Sequence, residues 1–218
     1  LGGYKAAVGG YNIDMSVVGQ PSVTAQITAT VVAGNKPTLN DTTPVVSLEL
    51  GAVAPTLDAD ITANDSEDGN ITGAITVGGE TVNTALQGIY HVTYNVNDSD
   101  GNAADTLTRV YAVDAKVVDQ NYAIFANPFT KRVGEVNTSN GAIIESADAT
   151  AVNVQTRQPA TIQVKDAGGY SATPDTYPIA FTISQNTAVE ATISATVITG
   201  DKPVISDTTP VVELPVGA

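Results

Sequence analysis

Two short acidic runs hold the densest oxygen chemistry in the sequence: NDSEDGN at 64–70 and NDSDGN at 97–102, with Asp58 and Asp60 just ahead of the first. Carboxylate, amide and carbonyl oxygens are what a hard divalent cation takes, and Ca²⁺ wants roughly six to eight of them. Asp65, Glu67, Asp68, Asp98 and Asp100 are therefore the candidate calcium ligands. Neither run ends in the Glu that closes an EF-hand loop. The competing reading is turn chemistry, because Asp, Asn and Gly tolerate left-handed backbone and close tight turns with their own side chains.

Other reactive constellations are thin. His91 is the only histidine, and by strand alternation it falls on a wet face. No serine lies in a G-x-S-x-G context, so a Ser–His–Asp arrangement has no anchor. The acidic runs could serve a glycosidase, but aromatic residues to stack a sugar are scarce beside them. There is no cysteine, which removes disulfides, thiolate metal sites and cysteine nucleophiles. Lys36, Lys116 and Lys202 could in principle form isopeptide crosslinks with a facing Asn, but solvated lysines are the favoured explanation. Asn40, Asn64, Asn70, Asn97 and Asn137 sit in N-x-S/T sequons, which matter only in a glycosylating host. No catalytic residue emerges, and the expectation is a protein that is not an enzyme.

Whatever these loops do, strands must position them. Hydrophobic residues are 42 % of the 218-residue chain but aromatics only 5 %, so the core must come from Val, Ile, Leu and Ala. Abundant Thr and Val with frequent Gly and Pro favours short strands and many turns. In AVEATISATVI, residues 188–198, Val189, Ala191, Ile193, Ala195 and Val197 take one face and Glu190, Thr192, Ser194 and Thr196 the other. That period of two marks a strand with one face buried, and Ser22–Val32 repeats it. Tyr90, Val92, Tyr94 and Val96 alternate likewise, followed by DSDGNAAD and LTRVYAV, which reads as a hairpin. Only SNGAIIESADA, 139–149, suggests a helical turn. The class is all-β.

The chain also repeats itself. Shifted by 166 residues, Gly2-Gly3-Tyr4 falls on Gly168-Gly169-Tyr170, and ITATVVAGNKPTLNDTTPVV at 27–46 falls on ISATVITGDKPVISDTTPVV at 193–212, with no gap. A period that long describes an array of modules rather than a solenoid turn. The expected division is 1–40, the end of a B-type β module; 41–114, module A; 115–206, module B; and 207–218, the first strand of a following A module. Two prolines at each B-to-A joint, in Lys-Pro and Asp-Thr-Thr-Pro, limit its bending.

Module A resembles bacterial Ig-like domains of the hyalin-repeat-like and pesticidal-crystal-protein-like kind. The residues that carry this are PVVSLELGA at 44–52, DITANDSEDGNIT at 60–72 and GIYHVTYNVNDSDGNAADTLTRV at 88–110. The resemblance implies tandem Ig-like β-sandwich modules in an array, on an extracellular or cell-surface protein. Module B is more loosely similar to modules that alternate with such domains.

Net charge is −14, which argues against nucleic acid and against contact of this segment with an anionic membrane. No apolar run reaches the length of a spanning helix. The expected function is a structural repeat, a spacer, stalk or fibre-forming segment that associates with neighbouring repeats or subunits. Strand addition by Val211–Val216 would be one route to a fibre. The alternative is an adhesin gripping a host protein or glycan, for which Tyr4, Tyr122, Phe125 and Phe129 are the aromatic candidates.

Overall fold

The computed structural model describes residues 7–32 and 34–200. Its regular elements are almost all strands, as the alternation predicts, and it clusters into two units. The first takes Leu1–Val46, Val53–Asn83 and Tyr90–Tyr111, and the second takes Ser47–Ala52, Thr84–Ile89 and Ala112–Ala218. The predicted modules and these units divide the chain differently, since Ser47–Ala52 and Thr84–Ile89 group with the residues after Tyr111.

The first unit opens with a two-stranded hairpin, β1 (Gly9–Val17) and β2 (Gln20–Val31). After it come β3 (Thr38–Asp41), β4 (Val45–Leu48), β5 (Ile61–Asp65), β6 (Gly69–Asn70), β7 (Thr76–Gly79), β8 (Gly88–Asn95) and β9 (Leu107–Val113). They form two sheets, ordered β3-β5-β6 and β4-β9-β8-β7. Inward residues alternate as expected of a sandwich: Ile61 and Ala63 on β5, Val92 and Tyr94 on β8, all at most 2 % exposed. The predicted hairpin of β8 and β9 is present, with its acidic turn closed by the Asn97–Ala103 bridge.

In the second unit follow β10 (Val117–Val118), β11 (Tyr122–Phe125), β12 (Phe129–Arg132), helix α1 (Asn140–Ser146), β13 (Thr150–Asn153), β14 (Ile162–Asp166), β15 (Asp175–Ile183) and β16 (Asn186–Ile198). The sheets are β10-β11-β13 and β12-β16-β15-β14. The suggested helical turn becomes a short helix because Ser139 caps it, its side chain accepting from the Ala142 amide at 3.4 Å. One apolar core joins Ile124 and Ala151 of the small sheet, Ile143 of the helix, and Ile179, Phe181, Ile193 and Ala195 of the large one. Gly168, in the repeated Gly-Gly-Tyr, must be glycine: φ is +55°, and a Cβ there would lie 2.1 Å from the Pro178 carbonyl oxygen.

The hairpin of β15 and β16 recurs in β1 and β2 strand for strand. Tyr11 pairs Ala29 as Tyr177 pairs Ala195, Ile13 pairs Ile27 as Ile179 pairs Ile193, and the register slips at Val17–Gln20 as at Ile183–Asn186. Their environments differ. Val189, Ala191, Ile193, Ala195 and Val197 are all at most 5 % exposed, as alternation requires. In the first copy, Val23 and Ile27 are each 50 % exposed, so the buried face expected for Ser22–Val32 is not buried here. Alternation fixes which side is apolar, but burial needs a second layer, and no described element supplies one to this hairpin.

Candidate functional site

The five candidate ligands do come to the same end of the Ig-like fold, on the β5–β6 and β8–β9 loops. What they engage is protein. Asp65 Oδ1 accepts from the backbone amides of Glu67 at 2.8 Å and Asp68 at 2.9 Å, the geometry of a self-closed turn. Asp98 accepts from Asn102 twice, from its amide N–H at 2.7 Å and from Nδ2 at 2.7 Å. Asp68 ties the two loops together: Ser99 donates to it through its backbone N–H at 2.7 Å and its hydroxyl at 2.8 Å. The Asp68 amide, then Glu67's, hold the Asp65 carboxyl below its ordinary range and outweigh the opposing effect of burial.

Among the described residues, no three acidic or histidine side chains converge into a set that could hold a metal. One oxygen is left over. Asp65 Oδ2 is a buried side-chain oxygen without a hydrogen-bond partner, on a residue 8 % exposed. Asp65, Asp68 and Asp98 thus close and join the two loops, their carboxylates accepting from amides and a hydroxyl.

The loops also receive the chain segment that leads into the Ig-like fold. Asn35 Nδ2 donates to Ser66 Oγ at 3.0 Å and to Glu67 Oε1 at 3.3 Å. Gly34 lies so near them that a Cβ there would sit 2.9 Å from both Asp100 Oδ2 and Asn102 Nδ2. Lys36 pairs with Asp105 at 3.0 Å, but both side chains are largely exposed, so the pair adds little. Lys36 is thus an exposed lysine, and Lys116 pairs with Asp114 at 3.0 Å. Lys202 lies outside the described residues.

The residues with the strongest electrostatics were not candidates. Arg109, on β9, and Asp41, ending β3, form a two-pronged ion pair. Nε donates to Oδ2 at 2.9 Å and Nη2 to Oδ1 at 2.5 Å, with side chains 3 % and 4 % exposed. Nη1 donates to the Ala59 carbonyl at 2.8 Å, and the guanidinium lies 5.9 Å from the Tyr94 ring centre. Tyr94 in turn donates to the Leu57 carbonyl. Burial pushes the Asp41 carboxyl up, but Arg109 and the Thr43 amide more than offset it, leaving it below the usual range. A lone Arg inside the apolar strand LTRVYAV was the available signal.

His91 is half-buried on β8, and its amide N–H donates to Glu80 at 2.7 Å. Of the aromatic candidates, Phe125 is 6 % exposed, while Tyr122 and Phe129 pack against the second unit's core. Tyr4 and Val211–Val216 lie outside the described residues.

Residues 47–113 match the family model described as bacterial surface protein, Ig-like domain. This stretch is a bacterial surface Ig-like module. The match covers β5 to β9 and both acidic loops, and it places the protein at the bacterial cell surface. No curated protein matches the chain. Solved structures similar to it include the CBM51-2 and INT domains of Clostridium perfringens ZmpB in complex with GlcNAc, at 19 % identity and a TM-score of 0.33 over 66 % of this chain and 32 % of that one. A lipoprotein of Bacteroides thetaiotaomicron is similar at 19 % identity and a TM-score of 0.31, over 66 % of this chain and 60 % of that one. The chain thus spans about a third to three-fifths of these relatives' lengths. No helix is long and apolar enough to cross a membrane among the described residues.

Proposed function

We propose that the chain is a non-enzymatic structural repeat of a long bacterial surface protein, in which Ig-like A modules alternate with B modules to give reach. The observation that carries this is the recurrence of the β15–β16 hairpin in β1–β2, in the same register and with the slip at the same place. A hairpin copied together with its joint sequence Gly-x-Lys-Pro is the mark of a unit that repeats. The joint supports a spacer with limited bending, since Asn35 is hydrogen-bonded to the Ig-like loops and Pro37 is buried.

The adhesin reading finds less support, because Tyr122, Phe125 and Phe129, three of the four aromatic side chains named for it, are packed into the fold. Electron microscopy of a protein carrying several units in tandem tests the proposal. Threads or fibres with an even axial spacing, lengthening by a constant step per added unit, are the expected result. Collapsed particles whose length does not grow with unit number would overturn it.

A further inference from the structure

We propose that the apolar face of the β1–β2 hairpin is a docking surface for a polypeptide of the kind formed by residues 115–166, a small sheet and short helix with an aliphatic inner side. The proposal rests on the repeat reading above, and it names the partner of one surface.

The hairpin has a finished wet side and an unfinished dry one. On the wet side Gln26 donates to Asp14 at 2.7 Å and Thr28 donates to Asn12 at 3.1 Å. The dry side carries Tyr11, Ile13, Met15, Ala25, Ile27 and Ala29. Met15 is 44 % and Ile27 50 % exposed, the exposure of core residues awaiting a layer.

The second copy shows what layer fits. The equivalent positions are Tyr177, Ile179, Phe181, Ala191, Ile193 and Ala195, identical in all but Met15 against Phe181. They are buried in one core with Ile124, Ile143 and Ala151, all from residues 115–166. Equal residue types in equal register make an equal surface, so the same kind of layer fits both. A second copy of the hairpin packing face to face is the competing occupant. The net charge of −14 opposes such self-association.

The test fuses residues 115–166 directly ahead of Leu1, which stands 166 positions before Ala167, so the join reproduces the natural sequence spacing. In the unfused chain, β1–β2 amides exchange fast and an apolar-site dye binds. In the fusion, exchange slows by roughly a hundredfold or more and dye binding falls, as for a hairpin taken into a core. Ile27→Asp does not change the melting of the unfused chain, and destabilises the added module in the fusion. Unchanged exchange in a folded fusion overturns the proposal, and so does a concentration-dependent dimer of the unfused chain that protects β1–β2. If the fusion does not fold, residues 9–31 are transplanted in place of 175–197. A cooperatively melting chimera then supports the proposal, and one without a transition overturns it. Tandem proteins that fail to extend would sink the spacer reading and leave these outcomes standing.

Discussion

Arg109 and Asp41 meet through two hydrogen bonds, at 2.9 and 2.5 Å, in a pocket that leaves neither side chain more than 4 % exposed. They stand 68 residues apart and tie the end of β3 to the middle of β9. Asp41 also accepts from the Thr43 amide at 2.8 Å, so it shapes the Asp-Thr-Thr-Pro turn that leads into β4. Asp41→Asn would leave a buried guanidinium without its counter-charge. We expect a loss of about 3–5 kcal/mol in urea unfolding of the Ig-like module. Replacing both partners by apolar residues, Asp41→Leu with Arg109→Met, is expected to cost less than either single change. A double change as harmful as Asp41→Asn would mean that the pair contributes more than mutual neutralisation.

Acid should act through the same residues. Asp41 and Asp65 both sit below the ordinary carboxyl value of 3.8 in the folded chain. A depressed folded value means that the unfolded chain binds protons first. The stability these groups contribute is therefore complete above the unfolded value and is lost as pH falls through the folded one. The urea midpoint should be flat from about pH 7 to 5 and should drop below about pH 4. In the Asp41→Leu, Arg109→Met double variant the drop should be shallower. A midpoint that rises on acidification would contradict this.

Calcium gives a sharp test of the acidic loops. Asp65, Asp68 and Asp98 already accept hydrogen bonds from amides and a hydroxyl, so a cation would have to displace them or use only what remains. The melting midpoint is expected to be the same in millimolar calcium and in EDTA. A rise with calcium would reassign the loops as a cation site, with Asp65 Oδ2 as the oxygen that lacks a protein partner. Asp68→Ala tests the loop-closure role itself. It removes both bonds to Ser99 and should cost about 1–2 kcal/mol with or without calcium.

How much of this was legible before any coordinates depends on the range of the interaction. Strand identity was, because a period of two is local: β16 buries the residues that alternation picks, and the β8–β9 hairpin forms around its Asp-Gly turn. The repeat was legible too, and its copies share even the register slip. The loop hydrogen bonds were half legible, since Asp, Asn and Gly announce a turn but not that Asp68 reaches across to Ser99. The Arg109–Asp41 pair was not, because it depends on two strands meeting in space. Burial of β1–β2 is not legible either, for a related reason. An amphipathic pattern names the dry face, and only tertiary structure decides whether anything lies on it.

That last difference yields a matched pair of substitutions. Met15 and Phe181 hold the same place in the repeat, yet Met15 is 44 % exposed and Phe181 is fully buried. Phe181→Ala empties a closed core around Ile124, Ile143 and Ile193, and should cost about 3–5 kcal/mol. Met15→Ala removes a side chain already half in water with no layer above it, and should cost less than about 0.5 kcal/mol. Calorimetry of both variants against the parent chain decides the matter. Equal destabilisation would mean that the first hairpin is covered in solution, and a large effect confined to Phe181 would mean that its apolar face stands open.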